Sequence, residues 1–216
     1  MLSKLHTETT SATLLHILRE IITWDELDAF RLVGGTALSL QLGHRVSVDI
    51  DLFTDAEYGS IDFIPVYNKL VKNYPVVIGN KPDNKGFGLS YLVGHSAAEL
   101  VKLDLFYCDS FIFPPVEIDH IRMADIKDVV LMKLEIISNG GRKKDFWDLS
   151  ELLYHINFDT MLELYLQKYP YFDTNSVVSQ LTNFTYADNE PDPICLRGKY
   201  WEIIKLDLEE MIEGRL

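Results

Sequence analysis

The chain has 216 residues, of which 47% are hydrophobic and 25% are charged, and this balance excludes a protein that is disordered throughout. No apolar run approaches the roughly 20 residues of a membrane-spanning helix, and the polar N-terminus lacks an apolar signal core, so we expect a cytoplasmic protein without a membrane partner. The formal charge is −13, and residues 145–216, with 5 basic and 14 acidic side chains, carry −9 of it. A general electrostatic field therefore cannot attract nucleic acid, which only local basic features could hold.

The first predicted elements are a helix, a short strand and a second helix. Apolar residues recur at helical spacing from Leu14 to Ile22, which predicts the first helix. A short apolar run over residues 30–33 then stops at two glycines. Thr36 is placed to cap a brief helix over residues 37–42, which the next glycine ends.

A strand with one buried face follows. Residues 46–53 alternate strictly, with Val46, Val48, Ile50 and Leu52 on the apolar face. Residues 61–73 show the period of a helix, and three further apolar runs predict strands over residues 75–78, 87–93 and 100–107. This succession predicts an α/β fold, in which helices flank a mixed sheet.

The pattern changes after Pro114 and Pro115. From there most apolar residues follow a helical period, over residues 125–138, 144–156, 159–169, 174–182 and 199–213. We therefore predict a mixed-sheet core in residues 1–115 and a helical part in residues 116–216, which packs on the core and completes its site.

Three aspartates on strands are candidates for chemistry. Asp49 and Asp51 alternate along one strand, so both carboxylates point to the same side. Asp104 lies among apolar residues of a later strand. Carboxylate oxygens are ligands that Mg²⁺ prefers, and a third acid beside the first two would complete a two-metal site for phosphoryl or nucleotidyl transfer. The alternative is that these acids are only the solvated faces of two strands.

A glycine pair precedes the acids. Gly34, Gly35 and Thr36 stand between a strand and a helix, where glycine lets the backbone approach a phosphate and the free N–H groups of the helix start can bind it. The only dense basic cluster is Arg142, Lys143 and Lys144, which is the candidate patch for contact with nucleic acid. The alternative is a solvated turn. His44 follows the brief helix and is interpreted as its cap.

These motifs resemble a known family. A strand, two glycines, 13 residues, Asp-x-Asp and a later strand acid are the order of the DNA polymerase beta-like nucleotidyltransferase superfamily. More narrowly, the chain is similar to the AbiEii/AbiGii toxin family. The motifs that carry this similarity are Gly34-Gly35-Thr36-Ala37-Leu38, Ser47-Val48-Asp49-Ile50-Asp51-Leu52-Phe53, Lys133, Arg142 and Lys144-Asp145-Phe146-Trp147-Asp148-Leu149.

The resemblance implies a role for each matching residue. The triphosphate would be bound by Gly34, Gly35, Thr36, Ser47, Lys133 and Arg142. Asp49 and Asp51 would bind Mg²⁺ or Mn²⁺, and Asp104 would be the third acid, which helps to deprotonate the attacking hydroxyl. Either Asp145 or Asp148 would close the site, and their spacing does not decide between them.

The resemblance further implies the reaction and its partners. The enzyme would transfer a nucleoside monophosphate from an NTP to a hydroxyl acceptor, with a tRNA 3′ end as one acceptor. It would be the toxin of a bacterial type IV toxin–antitoxin system, with a cognate antitoxin. Two alternatives stay open at this point: a small-molecule nucleotidyltransferase of the antibiotic-modifying kind, and a nucleotide-binding module without turnover.

Overall fold

The chain divides into two compact units, and the computed structural model describes residues 4–83 and 86–214. The first unit comprises the residues up to Leu42 together with Ser47–Ala124. The second comprises Gly43–Val46 and the residues from Asp125 onward. The division therefore lies later than the boundary that the sequence predicts at residues 115 and 116, because two short strands beyond that boundary belong to the sheet.

The first unit contains one mixed sheet, as predicted. Its strands are β1 Arg31–Leu32, β2 Asp49–Thr54, β3 Val76–Ile78, β4 Gly88–Gly94, β5 Val101–Tyr107, β6 Val116–Ile118 and β7 Ile121–Met123. They lie in the order β3-β4-β5-β2-β1-β7-β6. The β2–β5 and β1–β7 pairs are parallel and the others are antiparallel.

Three helices flank this sheet, namely α1 Ala12–Ile21, α2 Gly34–Leu42 and α3 Phe63–Asn73. The apolar stripes of α1 and α3 share one buried core with Ile50 and Leu52 of β2 and with the apolar residues of β5. One face of the central strands is thus packed into the core. The opposite face of β2 is only half-buried and carries Asp49, Asp51 and Phe53.

Two predicted boundaries differ from the structure. Helix α2 begins at Gly34, so Thr36 lies inside its first turn and is not its cap. The predicted strand over residues 46–53 begins only at Asp49, and Val48 is 65% exposed. The reason is that Val46 donates its backbone N–H to the Ile194 carbonyl of the second unit, outside the sheet.

The second unit is helical, as predicted. It contains α4 Ile126–Ser138, α5 Lys143–Leu152, α6 Phe158–Lys168, α7 Thr174–Gln180 and α8 Trp201–Glu213. Trp147 of α5 stacks on Trp201 of α8 with ring centroids 6.3 Å apart. None of the helices in the described part of the chain is long and apolar enough to cross a membrane.

Candidate active site

The predicted acids share one face of the sheet in the first unit. Asp49 and Asp51 alternate with the buried Ile50 and Leu52 of β2, so their carboxylates project from the half-buried opposite face. Strand β5 runs parallel to β2, and its register places Asp104 directly beside Asp51. The structure therefore brings together all three aspartates that the sequence singles out.

Asp104 already has two partners on this face. Its carboxylate accepts hydrogen bonds from Lys102 Nζ and from Ser90 Oγ, each at 2.5 Å. The hydrogen bond to Asp104 raises the pKa of Lys102 above its usual value, and the charges of Asp49 and Asp51 add to this against the effect of burial. Sequence reasoning misses Lys102 and Ser90, although their period-of-two spacing on β5 and β4 places them on the acid face.

The acid face suits a cation that arrives with other ligands. Within the part of the chain that the structure describes, no group of three His, Cys, Asp or Glu side chains lies close enough to hold a metal ion. Asp49 and Asp51 are two carboxylates on neighbouring same-face positions. Mg²⁺ is commonly bound by one or two carboxylates together with water and substrate phosphates, so this pair fits such an ion.

The glycine that opens α2 touches the acid face. Gly34 has φ +66°, and a Cβ placed on it would lie 2.8 Å from Asp51 Oδ2. Val33, just before it, donates its backbone N–H to the Asp51 carbonyl over 2.8 Å. Glycine is needed here for two reasons: the left-handed backbone, and the approach of the helix start to the carboxylate.

A Gly34→Ala substitution is therefore expected to destabilise the protein by more than the left-handed backbone alone costs, which is about 1–2 kcal/mol. The matched control is Gly59→Ala, since Gly59 also has a positive φ, +82°, but has nothing within 4 Å of an added Cβ. Urea denaturation of both variants measures the difference. Equal losses of unfolding free energy would contradict the close approach of Gly34 to Asp51.

Hydroxyl groups connect α2 to the acid strand. Thr36 is fully buried, and its Oγ1 lies 2.8 Å from Ser47 Oγ and within hydrogen-bonding distance of the Asp49 carbonyl. A carbonyl can only accept, so the single Thr36 hydroxyl hydrogen goes to Asp49 and the Ser47 hydroxyl donates to Thr36. Thr36 thus holds the helix start against the Asp49 backbone.

The second unit contains three further predicted residues, Lys133, Asp145 and Asp148, in one buried ionic cluster. Lys133 of α4 is 3% exposed, and its Nζ donates to Asp145 Oδ1 over 2.6 Å and lies 2.7 Å from Asp148 Oδ2. The three-residue spacing of the two acids indeed places both on one face of α5. Burial alone would lower the pKa of Lys133, but the negative charges of Asp148 and Asp145 outweigh this and raise the pKa above its usual value.

Asp148 has two further partners that sequence reasoning misses. It accepts from Arg45 Nε over 2.6 Å and from Arg45 Nη2 over 2.8 Å, a bidentate pair, and it lies 2.7 Å from His44 Nε2. Burial alone would raise the pKa of Asp148, but Arg45 and Lys133 hold it well below its usual value. The predicted helix-cap role of the His44 side chain is wrong, because its Nε2 faces Asp148 and its Nδ1 has no hydrogen-bond partner among the described residues.

Asp145 has a different environment. Its Oδ2 accepts the backbone N–H of Arg142 over 3.0 Å and the Arg142 Nε over 3.2 Å, so it caps the start of α5. Burial alone would raise the pKa of Asp145, but the positive charge and hydrogen bond of Lys133, together with the charge of Arg142, lower the pKa below its usual value. Asp145 thus joins Lys133 to the exposed Arg142, whereas Asp148 is enclosed.

The basic cluster at the start of α5 is not one surface. Arg142 has a side chain that is 55% exposed, but Lys143 is 5% exposed and donates to Asp192 Oδ1 over 3.0 Å. Glu190 accepts the Lys143 backbone N–H over 2.6 Å. Acidic residues of the C-terminal segment thus neutralise Lys143, and the cluster does not form the predicted patch of three cations.

Comparisons with known proteins agree with the motifs. A family model described as "Nucleotidyl transferase AbiEii toxin, Type IV TA system" matches residues 16–212. The chain is 28% identical over 204 residues to the uncharacterized protein aq_aa25 of Aquifex aeolicus, and the match covers 87% of this chain and 88% of that protein.

Solved structures share the fold. A candidate nucleotidyltransferase from Helicobacter pylori superposes with a TM-score of 0.59 at 21% identity, over 94% of this chain and 93% of that one. The nucleotidyltransferase toxin MenT4 of Mycobacterium tuberculosis superposes with a TM-score of 0.55 at 13% identity, over 90% and 78% of the two chains.

Proposed function

Because the chain belongs to the nucleotidyltransferase AbiEii toxin family of type IV toxin–antitoxin systems, we propose that it transfers a nucleoside monophosphate from an NTP to the 3′ hydroxyl of an RNA, with a tRNA as acceptor. Its partner is a cognate antitoxin, and it acts in the cytoplasm. The observation that carries the proposal is the acid face, where the glycine start of α2 contacts the carboxylate of Asp51. Single-stranded 3′ ends are accessible without duplex opening, which suits a small enzyme.

The NTP phosphates bind at the start of α2. The N–H groups of Gly34 and Gly35 have no partner within the helix and can donate to phosphate oxygens. The Ser47 hydroxyl donates its hydrogen to Thr36, so Ser47 contributes by holding Thr36 in place. Thr36 contributes by fixing this helix start, since its hydroxyl is used inside the protein. The family motifs also assign positive charge for phosphate to Lys133 and Arg142, and of these two side chains only Arg142 is exposed.

Asp49 and Asp51 are the proposed ligands of Mg²⁺ or Mn²⁺, and Asp104 is the third candidate ligand. Such an ion supplies electrostatic stabilisation of the charge that develops on the phosphate oxygens. Lys102 and Ser90 hold the Asp104 carboxylate in place beside Asp51. From that position Asp104 can instead accept the proton of the attacking hydroxyl.

The reaction itself is an in-line displacement. The acceptor 3′ oxygen forms a bond to the α-phosphorus, the bond from that phosphorus to the β-phosphate bridging oxygen breaks, and pyrophosphate leaves. The hydroxyl proton passes to a carboxylate of the acid face. The protein contributes alignment of the two reactants and fixed charges around the transferred group.

One labelling experiment separates the candidate functions. The purified protein is incubated with each labelled NTP, Mg²⁺ and total RNA, and the labelled product is identified. We expect label on RNA 3′ ends. Label on a small alcohol only would favour the antibiotic-modifying alternative, which agrees with the net charge of −13, and bound nucleotide without any labelled product would indicate a binding module.

Lys133→Ala is expected to lower the free energy of unfolding by about 3–5 kcal/mol, because it leaves the carboxylates of Asp145 and Asp148 buried without the cation between them. Lys127→Ala, on the same helix, is the control, since Lys127 is exposed and Lys133 is buried against two aspartates. Urea denaturation gives both values. Similar losses of unfolding free energy in the two variants would contradict the importance of the buried cluster.

A further inference from the structure

Four half-buried side chains cross the sheet one register step beyond the acids. The register pairs Phe106 of β5 with Phe53 of β2, and Phe53 with Arg31 of β1. Leu32 pairs with Met123 in parallel, so Arg122 of β7 lies beside Arg31 on the same face. We call these four residues the Phe–Arg row.

Both arginines of the row line a pocket of about 320 Å³ at the end of β2. Its other lining residues are Asp28, Ala29, Thr54, Asp55, Ala56 and Pro115. The volume is at the lower end of the range for small-ligand sites, about 300–1,000 Å³. The pocket can therefore hold a ligand of about the size of one nucleotide.

The two guanidinium groups are held without carboxylate partners. Arg31 lies over the Phe111 ring at 4.2 Å and donates to the Phe113 carbonyl, and Arg122 donates to the carbonyls of Leu27 and Phe30. Neither forms an ion pair with any residue in 4–83 or 86–214. The two adjacent positive charges repel each other, and a bound anion would relieve this repulsion. Phosphate is a suitable anion, because the planar guanidinium group matches its geometry.

Two carboxylates in the same pocket limit the kind of anion. Asp28 and Asp55 line it as well, and Asp55 Oδ2 accepts the backbone N–H of Phe111 over 3.1 Å. Two acids would repel an inorganic phosphate that fills the pocket. They suit a ligand that carries hydroxyl or amino donors at a distance from its phosphate, as a ribonucleotide does.

We propose that this pocket binds an RNA acceptor nucleotide upstream of the reacting 3′ end, a proposal that rests on the proposed function. Arg31 and Arg122 bind its phosphodiester, and Asp28 and Asp55 accept hydrogen bonds from its ribose and base. The 3′-terminal base stacks on the Phe53 ring, which contacts the Phe106 ring edge to face with centroids 6.0 Å apart.

The position along β2 favours the acceptor over the NTP. The NTP phosphates are assigned to the start of α2, against Asp51. Asp55 follows Asp51 by four residues, which is about 13 Å along a strand. Phe53 lies between them. An acceptor strand whose 3′ end lies at the acids therefore runs back past Phe53 and Phe106 and then into the pocket.

The test compares two acceptors, an RNA oligonucleotide and its isolated 3′-terminal nucleoside. Arg31→Gln is expected to raise the KM for the oligonucleotide about tenfold, as for the loss of a charge-assisted hydrogen bond, and to leave the KM for NTP and for the nucleoside unchanged. Arg19→Gln is the matched control, since Arg19 is an exposed arginine of the same unit outside the pocket.

A second variant is needed because Arg31 also contacts Phe111 and Phe113 within the protein, and its loss could act through these contacts. Asp28 is exposed and lines the pocket. Asp28→Asn is expected to reduce the preference for an oligonucleotide over its counterpart with 2′-deoxy nucleotides upstream of an unchanged 3′-terminal ribonucleotide. The pocket assignment is overturned if Asp28→Asn keeps the wild-type preference and Arg31→Gln keeps the wild-type KM for the oligonucleotide. If Arg31→Gln raises the KM for NTP as much as the KM for the oligonucleotide, the pocket binds the NTP instead.

Failure of the proposed function gives a different result. If the wild-type protein labels no RNA, the transfer proposal fails, and the pocket is then tested by binding alone. Fluorescence anisotropy with a labelled single-stranded RNA is expected to show about tenfold weaker binding to Arg31→Gln than to Arg19→Gln. Equal binding to the two variants overturns the inference independently of turnover.

Discussion

Asp51→Asn is expected to reduce nucleotidyl transfer by about a thousandfold or more while the protein stays folded. The carboxylate lies on the half-buried face of β2, against the glycine start of α2, and supplies a negative charge that an amide of the same shape does not. Removing that charge removes a proposed metal ligand at the place where charge develops in the proposed reaction. The cost to stability is small, because Asn is nearly isosteric and the face is not fully buried.

The measurement is the initial rate of label transfer at saturating NTP, with circular dichroism and denaturation to verify the fold. Asp49→Asn is expected to behave in the same way, since Asp49 shares the strand face. Asp109→Asn serves as the control, because Asp109 is an exposed aspartate of the same unit outside the acid face. Transfer at the wild-type rate by either acid-face variant would show that the site is assigned wrongly.

Asp148→Asn is expected to destabilise the protein by about 3–5 kcal/mol, the usual cost of removing one partner from a buried ion pair. Asp148 is fully buried and binds Arg45 in a bidentate pair and Lys133 over 2.7 Å. Without its charge, two cations stay buried with less compensation. We therefore interpret Asp148 as the residue that holds this cluster together, whereas Asp145 connects the cluster to the exposed Arg142.

The same residue predicts the pH dependence of stability. The pKa of Asp148 is well below the usual 3.8 in the folded protein, so its contribution is present above about pH 4 and is lost as the pH falls toward the folded-state pKa. Urea denaturation between pH 7 and pH 3 is expected to show this loss in the wild type. The loss should be smaller in Asp148→Asn and unchanged in Glu209→Gln, an exposed acid of the same unit. An unchanged loss in Asp148→Asn would contradict this account.

Much of the site follows from local patterns in the sequence. A period of two places Asp49 and Asp51 on one face of a strand, and the structure confirms it. The glycine pair predicts an approach of the backbone to a phosphate, whereas the structure shows Gly34 close to the Asp51 carboxylate. The three-residue spacing of Asp145 and Asp148 correctly places both on one face of α5. These relations hold within a few residues, where backbone geometry alone fixes the direction of a side chain.

The sequence by itself determined the fold class, the helical character of the second unit and the family motifs, because each depends on short-range periodicity and spacing. Only the tertiary structure decided that Asp104 lies beside Asp51 and binds Lys102, and that Arg45 binds Asp148, a residue 103 positions later. It also decided that Lys143 is neutralised by Asp192. Strand register and helix packing are set by the burial of whole apolar faces, so no local pattern predicts which distant charges they bring together.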